Sequence, residues 1–150
     1  MVWRLNNKMS DLNFFLKKNK KEQESKKFAA TKSICDADGN PVEWEFKAIK
    51  TSKDEQIRKK HTKEIPTGKR GQYRTKVDFN AYMDDLIVES CVYPDLYDAK
   101  LQDSYGVMNP VDLLHELVDN VGEYQDLAIF VQQLNGFDVD INEEVETAKN

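Results

Sequence analysis

Cysteine is scarce in this chain of 150 residues, with Cys35 and Cys91 alone, too few for a disulfide framework or a four-ligand zinc site. Histidine is equally rare. His61 and His115 stand far apart without metal-ligand spacing, and each reads as a partly buried helix residue. Long apolar runs are missing too. Near the C-terminus the longest stretch free of Asp, Glu, Lys and Arg is Leu127 to Phe137, well short of the ~18 apolar residues that mark a membrane helix. No basic-then-apolar leader precedes a small-residue cleavage site, so no secretory signal is expected. Neither common glycine-rich phosphate cradle occurs. A Cys91/His115 nucleophile pair has nothing but composition to recommend it. The expectation is a soluble cytoplasmic protein with reduced thiols, no enzyme, no metal and no cofactor.

What the chain does have is charge, and it is unevenly placed. Residues 1–76 hold 20 Lys or Arg against 10 Asp or Glu, and residues 77–150 hold 2 against 17. The halves therefore carry +10 and −15 within an overall −5, a polarity that favours electrostatic association within or between molecules. Leu, Ile, Val and Phe total 37, with 13 before Val77 and 24 from Val77 on. A core built mainly by the acidic half, carrying a more loosely held basic half, follows. Self-association through the opposite halves is expected to weaken as salt shortens the screening length below ~10 Å.

Along the chain, residues 1–27 read as an N-terminal extension. Ser10 can cap a short helix bearing Leu12, Phe15 and Leu16, and a lysine-rich connection runs from Lys17 to Lys27. Residues 28–49 read as a hairpin: a first strand from Phe28 to Cys35, a turn at Asp36–Pro41 with Gly39 at positive φ, and a second strand from Val42 to Ile49. In that strand Val42, Trp44, Phe46 and Ala48 share one face. Helices are expected over 52–65, opened by a Ser52/Glu55 capping box, and over 77–92, 96–104, 110–121 and 123–134. Phe79, Met83, Leu86, Ile87 and Cys91 form the buried stripe of the second, with Tyr82, Asp85 and Glu89 nearer water. Asn109 caps the fourth with Pro110 at its first position, and Asn135-Gly136 ends the fifth. Residues 138–150 read as an acidic flexible tail. The fold class is α+β: a helix-rich single domain with an N-terminal hairpin packed on three to four helices.

Two clusters are candidate interaction sites. Tyr93, Leu96, Tyr97, Leu101 and Tyr105 either pack against the two following helices or line a shallow groove for a partner helix, because anchors at helical spacing dock that way. Lys69, Arg70, Tyr73 and Arg74 lie in a segment, Pro66 to Lys76, that reads as a mobile loop. They can pair with the acidic half of a neighbouring copy. A small nucleic-acid-binding or regulatory protein using this basic half is the alternative function, since Arg and Lys interleaved with Tyr can hold phosphates and stack on a base. The attached −15 opposes a polyanion.

The stretches DADGNPVEWEFKAI, ESCVYPDLYDAKLQDSYGV and NPVDLLHELVDNVGEYQDLAIFVQQLNGF resemble the XkdN-like tail assembly chaperones of phages and phage-derived elements. The resemblance spans Phe28 to Phe137 and is most specific over Glu89–Gly106 and Gly122–Phe137. It implies a non-enzymatic role in building a contractile or flexible tail, by coating the long helical tape-measure protein before the tube polymerises. The tape-measure protein, and with it the tail tube protein, are the implied partners, in the host cytoplasm and not in the mature virion. Met9 looks like the more usual start than Met1. Such chaperones also come in frameshift-extended forms, and Ala148-Lys149-Asn150 can be encoded by a slippery heptamer. The family has no active-site motif to carry across.

Overall fold

Trp44 and Phe46 stand two residues apart and so face the same side of a strand. Both are buried in the computed structural model, which describes residues 11–139. The strand is β2 (Trp44–Phe46), paired antiparallel with β1 (Lys26–Phe28) in the register Phe28↔Trp44. The expected hairpin is present, but its ladder is short. Beyond Phe28 the chain leaves the strand and crosses a helix, touching the second arm again at the bridge Cys35↔Pro41. The turn between uses the expected chemistry: the Asp36 carboxylate accepts from the backbone amides of Asp38 and Asn40 at 2.9 and 3.0 Å, and Gly39 has φ +85°.

Helix α1 (Thr51–Lys60) begins one residue before Ser52, with Lys50 at its N-cap and no side-chain cap. The helix also stops at Lys60 where 65 was expected. His61 caps it, and β3 (Thr62–Pro66) follows, paired antiparallel with β4 (Tyr73–Val77) from Thr62↔Val77 to Pro66↔Tyr73. The segment expected as a mobile loop is thus the turn and one arm of a β-ribbon. The apolar face of a helix continued to Ile65 is too thin to hold it. The β-branched and aromatic residues Thr62, Ile65, Tyr73, Thr75 and Val77 favour a pleated pair instead. Gly68 and Gly71, at φ +90° and +75°, allow the reversal between them.

Helix α2 (Phe79–Ser90) is capped by Asp78, whose carboxylate accepts from the Ala81 amide at 3.2 Å. It is the central element, buried on several sides through Tyr82, Met83, Asp85, Leu86, Ile87, Val88 and Ser90. It passes directly into β5 (Cys91–Tyr93), which pairs with β2 and completes a three-stranded sheet in the order β1-β2-β5. The expected helix end at 91–92 is therefore strand. Helix α3 (Ala99–Ser104) is shorter than expected. In α4 (Pro110–Leu117) Asn109 caps as read, its side chain accepting from the Asp112 amide at 2.8 Å. The helix ends at Leu117, not 121, and Val121 instead starts α5 (Val121–Leu134) under an Asn120 cap.

The sheet lies on α5 through three rings. Phe28 stacks on Phe130 with centroids 4.4 Å apart, and Phe46 meets Phe130 edge-on at 5.6 Å. The crossing chain is tied to the same helix: Thr31 Oγ1 and the Lys32 amide each donate to the Glu123 carboxylate at 2.8 Å. These two bonds hold Glu123 below its ordinary pKa. The architecture is a mixed α+β single domain, as its composition and pattern led one to expect.

At its far end α5 closes with a left-handed glycine. Gly136 has φ +87°, and the amides of Gly136 and Phe137 return to the carbonyls of Gln133 and Gln132 at 3.0 and 2.9 Å. The Asn135 side chain then locks three elements together. It accepts from the Ile49 amide at 2.9 Å and donates to Ser90 Oγ and Val131 O at 3.1 and 2.9 Å. Asn135→Ala would leave the fully buried Ser90 hydroxyl and the Ile49 amide short of partners. It is expected to cost about 1–3 kcal/mol, read as a lower urea midpoint at unchanged m-value.

The Ser10 cap, the Met1 or Met9 start and the tail from residue 140 lie outside the described residues.

Candidate partner-binding groove

The stripe of α2 was expected to bury Phe79, with Tyr82 and Asp85 nearer its edge or in water. The structure reverses this. Helix α1 packs on the Tyr82/Asp85 side, so these two are only 2% and 9% exposed, while Phe79 is 60% exposed. Beside Phe79 the surface falls into a cleft of about 590 Å³ between α2, α4 and α5. Met83, Val118, Tyr124 and Ala128 lie along it, and Val121, 73% exposed, stands with Phe79 at its edge. Asp84 and Asp119 contribute negative charge, and among the described residues no Lys or Arg lines the cleft.

One polar strip crosses this apolar surface. Asp84 Oδ1 on α2 accepts from Tyr124 Oη on α5 and from His115 Nε2 on α4, the latter at 3.1 Å. The His115 and Tyr124 rings meet edge-on at 5.4 Å. His115 is thus a helix cross-link, half exposed, and a polar mark in an apolar trough. Burial first, then the Asp84 hydrogen bond, pushes the Tyr124 phenol far above its ordinary value.

On the opposite side of α2 a second polar set fastens α1, which buries Ile57 alone. Tyr82 Oη donates to Asp54, and Arg58 bonds Asp54 at 2.8 Å while its guanidinium lies 4.5 Å from the centre of the Tyr82 ring. His61 Nε2 and Lys60 Nζ both reach Asp85 Oδ2, at 2.5 and 3.2 Å. Burial and the neighbouring Asp54 carboxylate raise the Tyr82 phenol to about 12. For both phenols the neutral form is the folded one. Their contribution to stability is therefore complete below about 10, the ordinary phenol value, and is lost as pH rises through the folded values. An alkaline absorbance titration at the phenolate band is expected to leave Tyr82 and Tyr124 un-ionised until the protein unfolds, with fewer than the total of six tyrosines appearing before that step.

The fold buries some of the residues singled out in the sequence and exposes others. Leu96 is 2% exposed and belongs to the core, so it is not a surface anchor. Leu101 is half-buried and packs against that core. Tyr93, Tyr97 and Tyr105 do face outward, at 59, 58 and 40% exposure, with Tyr97 Oη held by Glu89 at 2.5 Å. Lys69 and Arg70 sit at the turn of the β3–β4 ribbon and Arg74 within β4, all exposed. Cys91 and His115 do not form a pair: Cys91 Sγ donates to the Pro94 carbonyl at 3.4 Å, and His115 is engaged by Asp84. Burial pushes the Cys91 thiol up to about 12, away from nucleophilic character. Among the described residues no group of three or more His, Cys, Asp or Glu is placed to hold a metal ion, and no helix is long and apolar enough to cross a membrane.

The groove was missed in the sequence because the helix expected over 110–121 puts Val121 at its end. The signal that could have found it is Asn120. This residue type at that place caps a new helix and puts Val121 in the first turn, turned away from the preceding stripe.

Comparison with known proteins agrees over nearly the whole chain. The profile of the phage XkdN-like tail assembly chaperone proteins matches residues 12–149. The uncharacterized protein YqbN of Bacillus subtilis (strain 168) is 30% identical over 145 residues, covering 97% of both chains. The XkdN protein of the phage-like element PBSX, from the same organism, is 28% identical with the same coverage. The crystal structure of YqbN superposes with a TM-score of 0.72 at 26% identity, over 85% of this chain and 98% of that one.

Proposed function

Because the chain belongs to the phage XkdN-like tail assembly chaperone family, we propose that it keeps a tape-measure protein soluble during tail assembly by taking an amphipathic helix of that client into the Phe79–Tyr124 groove. Family membership supports protein partners in tail assembly and a non-enzymatic role. The observation that carries the choice of surface is the apolar trough with Phe79 and Val121 left bare at its edge. A soluble domain exposes such residues side by side at an energetic cost, and contiguous apolar surface of this kind marks a binding site. A helix seats in it by burying side chains at three- and four-residue spacing, and the Asp84–His115–Tyr124 strip gives a polar client residue one place to register.

The magnitudes suit a transient role. Three anchors at about 2 kcal/mol each give about 6 kcal/mol gross, within the range that association itself costs. A single contact is therefore weak, and firm cover of a long client comes from many copies in series, each raising the effective concentration of the next. Weak individual contacts also allow the polymerising tube to strip the chaperone away. That is consistent with action in the host cytoplasm, absence from the finished virion, and contact with the tube protein as well.

The β3–β4 ribbon, with Lys69, Arg70 and Arg74 exposed, is the surface best suited to reach the acidic helices of an adjacent copy. Nucleic acid is the poorer partner for it, because the −15 of residues 77–150 would repel a polyanion. Tyr93, Tyr97 and Tyr105 form the second candidate client surface. Co-expression with the tape-measure protein tests the reading. The expected result is a soluble complex containing both chains; a client that stays in the pellet at equal chaperone level would refute it.

A further inference from the structure

The segment before the lysine-rich connection is as bare as the groove. Leu12, Phe14 and Phe15 are 68, 71 and 83% exposed and Leu16 is 45% exposed. The backbone there is ordered by local bonds: helical at 11–14, with the Phe15 amide on Leu12 O at 3.0 Å and Asn19 Nδ2 on Asn13 O at 2.6 Å. Four large apolar side chains in a formed turn, none of them among the described residues of the buried core, present a ready-made ligand.

Its character complements the groove twice over. The apolar residues match the Phe79, Met83, Val121 and Tyr124 surface. Lys17, Lys18, Lys20 and Lys21 follow at once, and the groove carries Asp84 and Asp119, with no Lys or Arg among its described lining residues. None of residues 11–16 lines the groove of its own chain, which leaves that groove free to take the segment of another copy. After a helical turn at Lys17–Asn19 the six residues from Lys20 to Ser25 lie outside any helix or strand and can span up to ~20 Å, enough to reach a neighbour.

We propose that residues 11–16 of one copy dock in the Phe79–Tyr124 groove of a second copy, with the lysines against Asp84 and Asp119. The contact is heterologous: each copy gives its segment to one neighbour and its groove to another, so copies add in series. The segment also stands in for the client, which displaces it; this last step rests on the groove being the client site, whereas the docking itself does not.

Two full-length variants separate these ideas. Phe15→Asp disables the segment and Val121→Asp disables the groove, both at exposed positions, with circular dichroism confirming the fold. Sedimentation velocity over a range of concentrations is expected to show wild type growing beyond a monomer and each variant alone monomeric. An equimolar mixture should form dimers and nothing larger, because one intact segment and one intact groove remain between the two variants. Wild type that stays monomeric, variants that associate like wild type, or a mixture that remains monomeric would each overturn the docking. Client solubility is read separately. Phe15→Asp should retain it and Val121→Asp should lose it; if the association pattern holds but neither change affects the client, the docking stands and the groove's client role falls.

Discussion

Aspartate at both Phe79 and Val121 should release the client. Each side chain is worth about 1.5–3 kcal/mol when fully buried against a partner, so the pair is expected to weaken the complex by at least about 100-fold. The free chaperone should hardly notice. Both residues lie at the first position of a helix and are 60% and 73% exposed, where negative charge is tolerated by the helix dipole and surface substitutions cost little. A titration of the purified variant against a labelled client helix checks the first point, and a thermal melt within about 2 °C of wild type checks the second.

Phe46 gives the opposite result from the same residue type. It is fully buried, with the Trp44 ring 6.2 Å away and the Phe130 ring at 5.6 Å. Phe46→Ala opens a cavity where sheet meets α5 and is expected to cost about 3–5 kcal/mol, a large part of the 5–15 kcal/mol typical of a domain. For a chain of this length that is a fall of about 10 °C in melting temperature, measurable by calorimetry. Its groove residues are untouched, so client affinity at low temperature should be near wild type. The two phenylalanines thus separate folding from function.

Features decided by local chemistry were legible in the sequence. The Asp36–Asn40 turn, the Asn109/Pro110 start and the Asn135-Gly136 stop each depend on a few neighbouring residues and stand where they were read. The Trp44/Phe46 face was legible for the same reason. What failed depends on partners distant in sequence. Thr62–Pro66 extends a helix until Tyr73–Val77 pairs with it, and Cys91–Tyr93 is a helix end until β2 lies alongside. Burial of Tyr82 and Asp85 follows from where α1 packs, which no periodicity within α2 encodes. The groove is harder still: it is made by parts of three helices, and one of its edge residues was assigned to the wrong one. Leu96 shows the converse: the sequence leaves it two roles, packing or anchor, and the fold gives it the first.

The most direct test is hydrogen–deuterium exchange on the Phe15→Asp chaperone, whose groove no neighbouring segment fills, alone and in complex with the tape-measure protein. Slowed exchange over the first turns of α2 and α5 and along α4 around His115, with the Tyr93–Tyr105 segment unchanged, is the predicted footprint. Protection concentrated on Tyr93–Tyr105, with the groove exchanging as in the free protein, would contradict it.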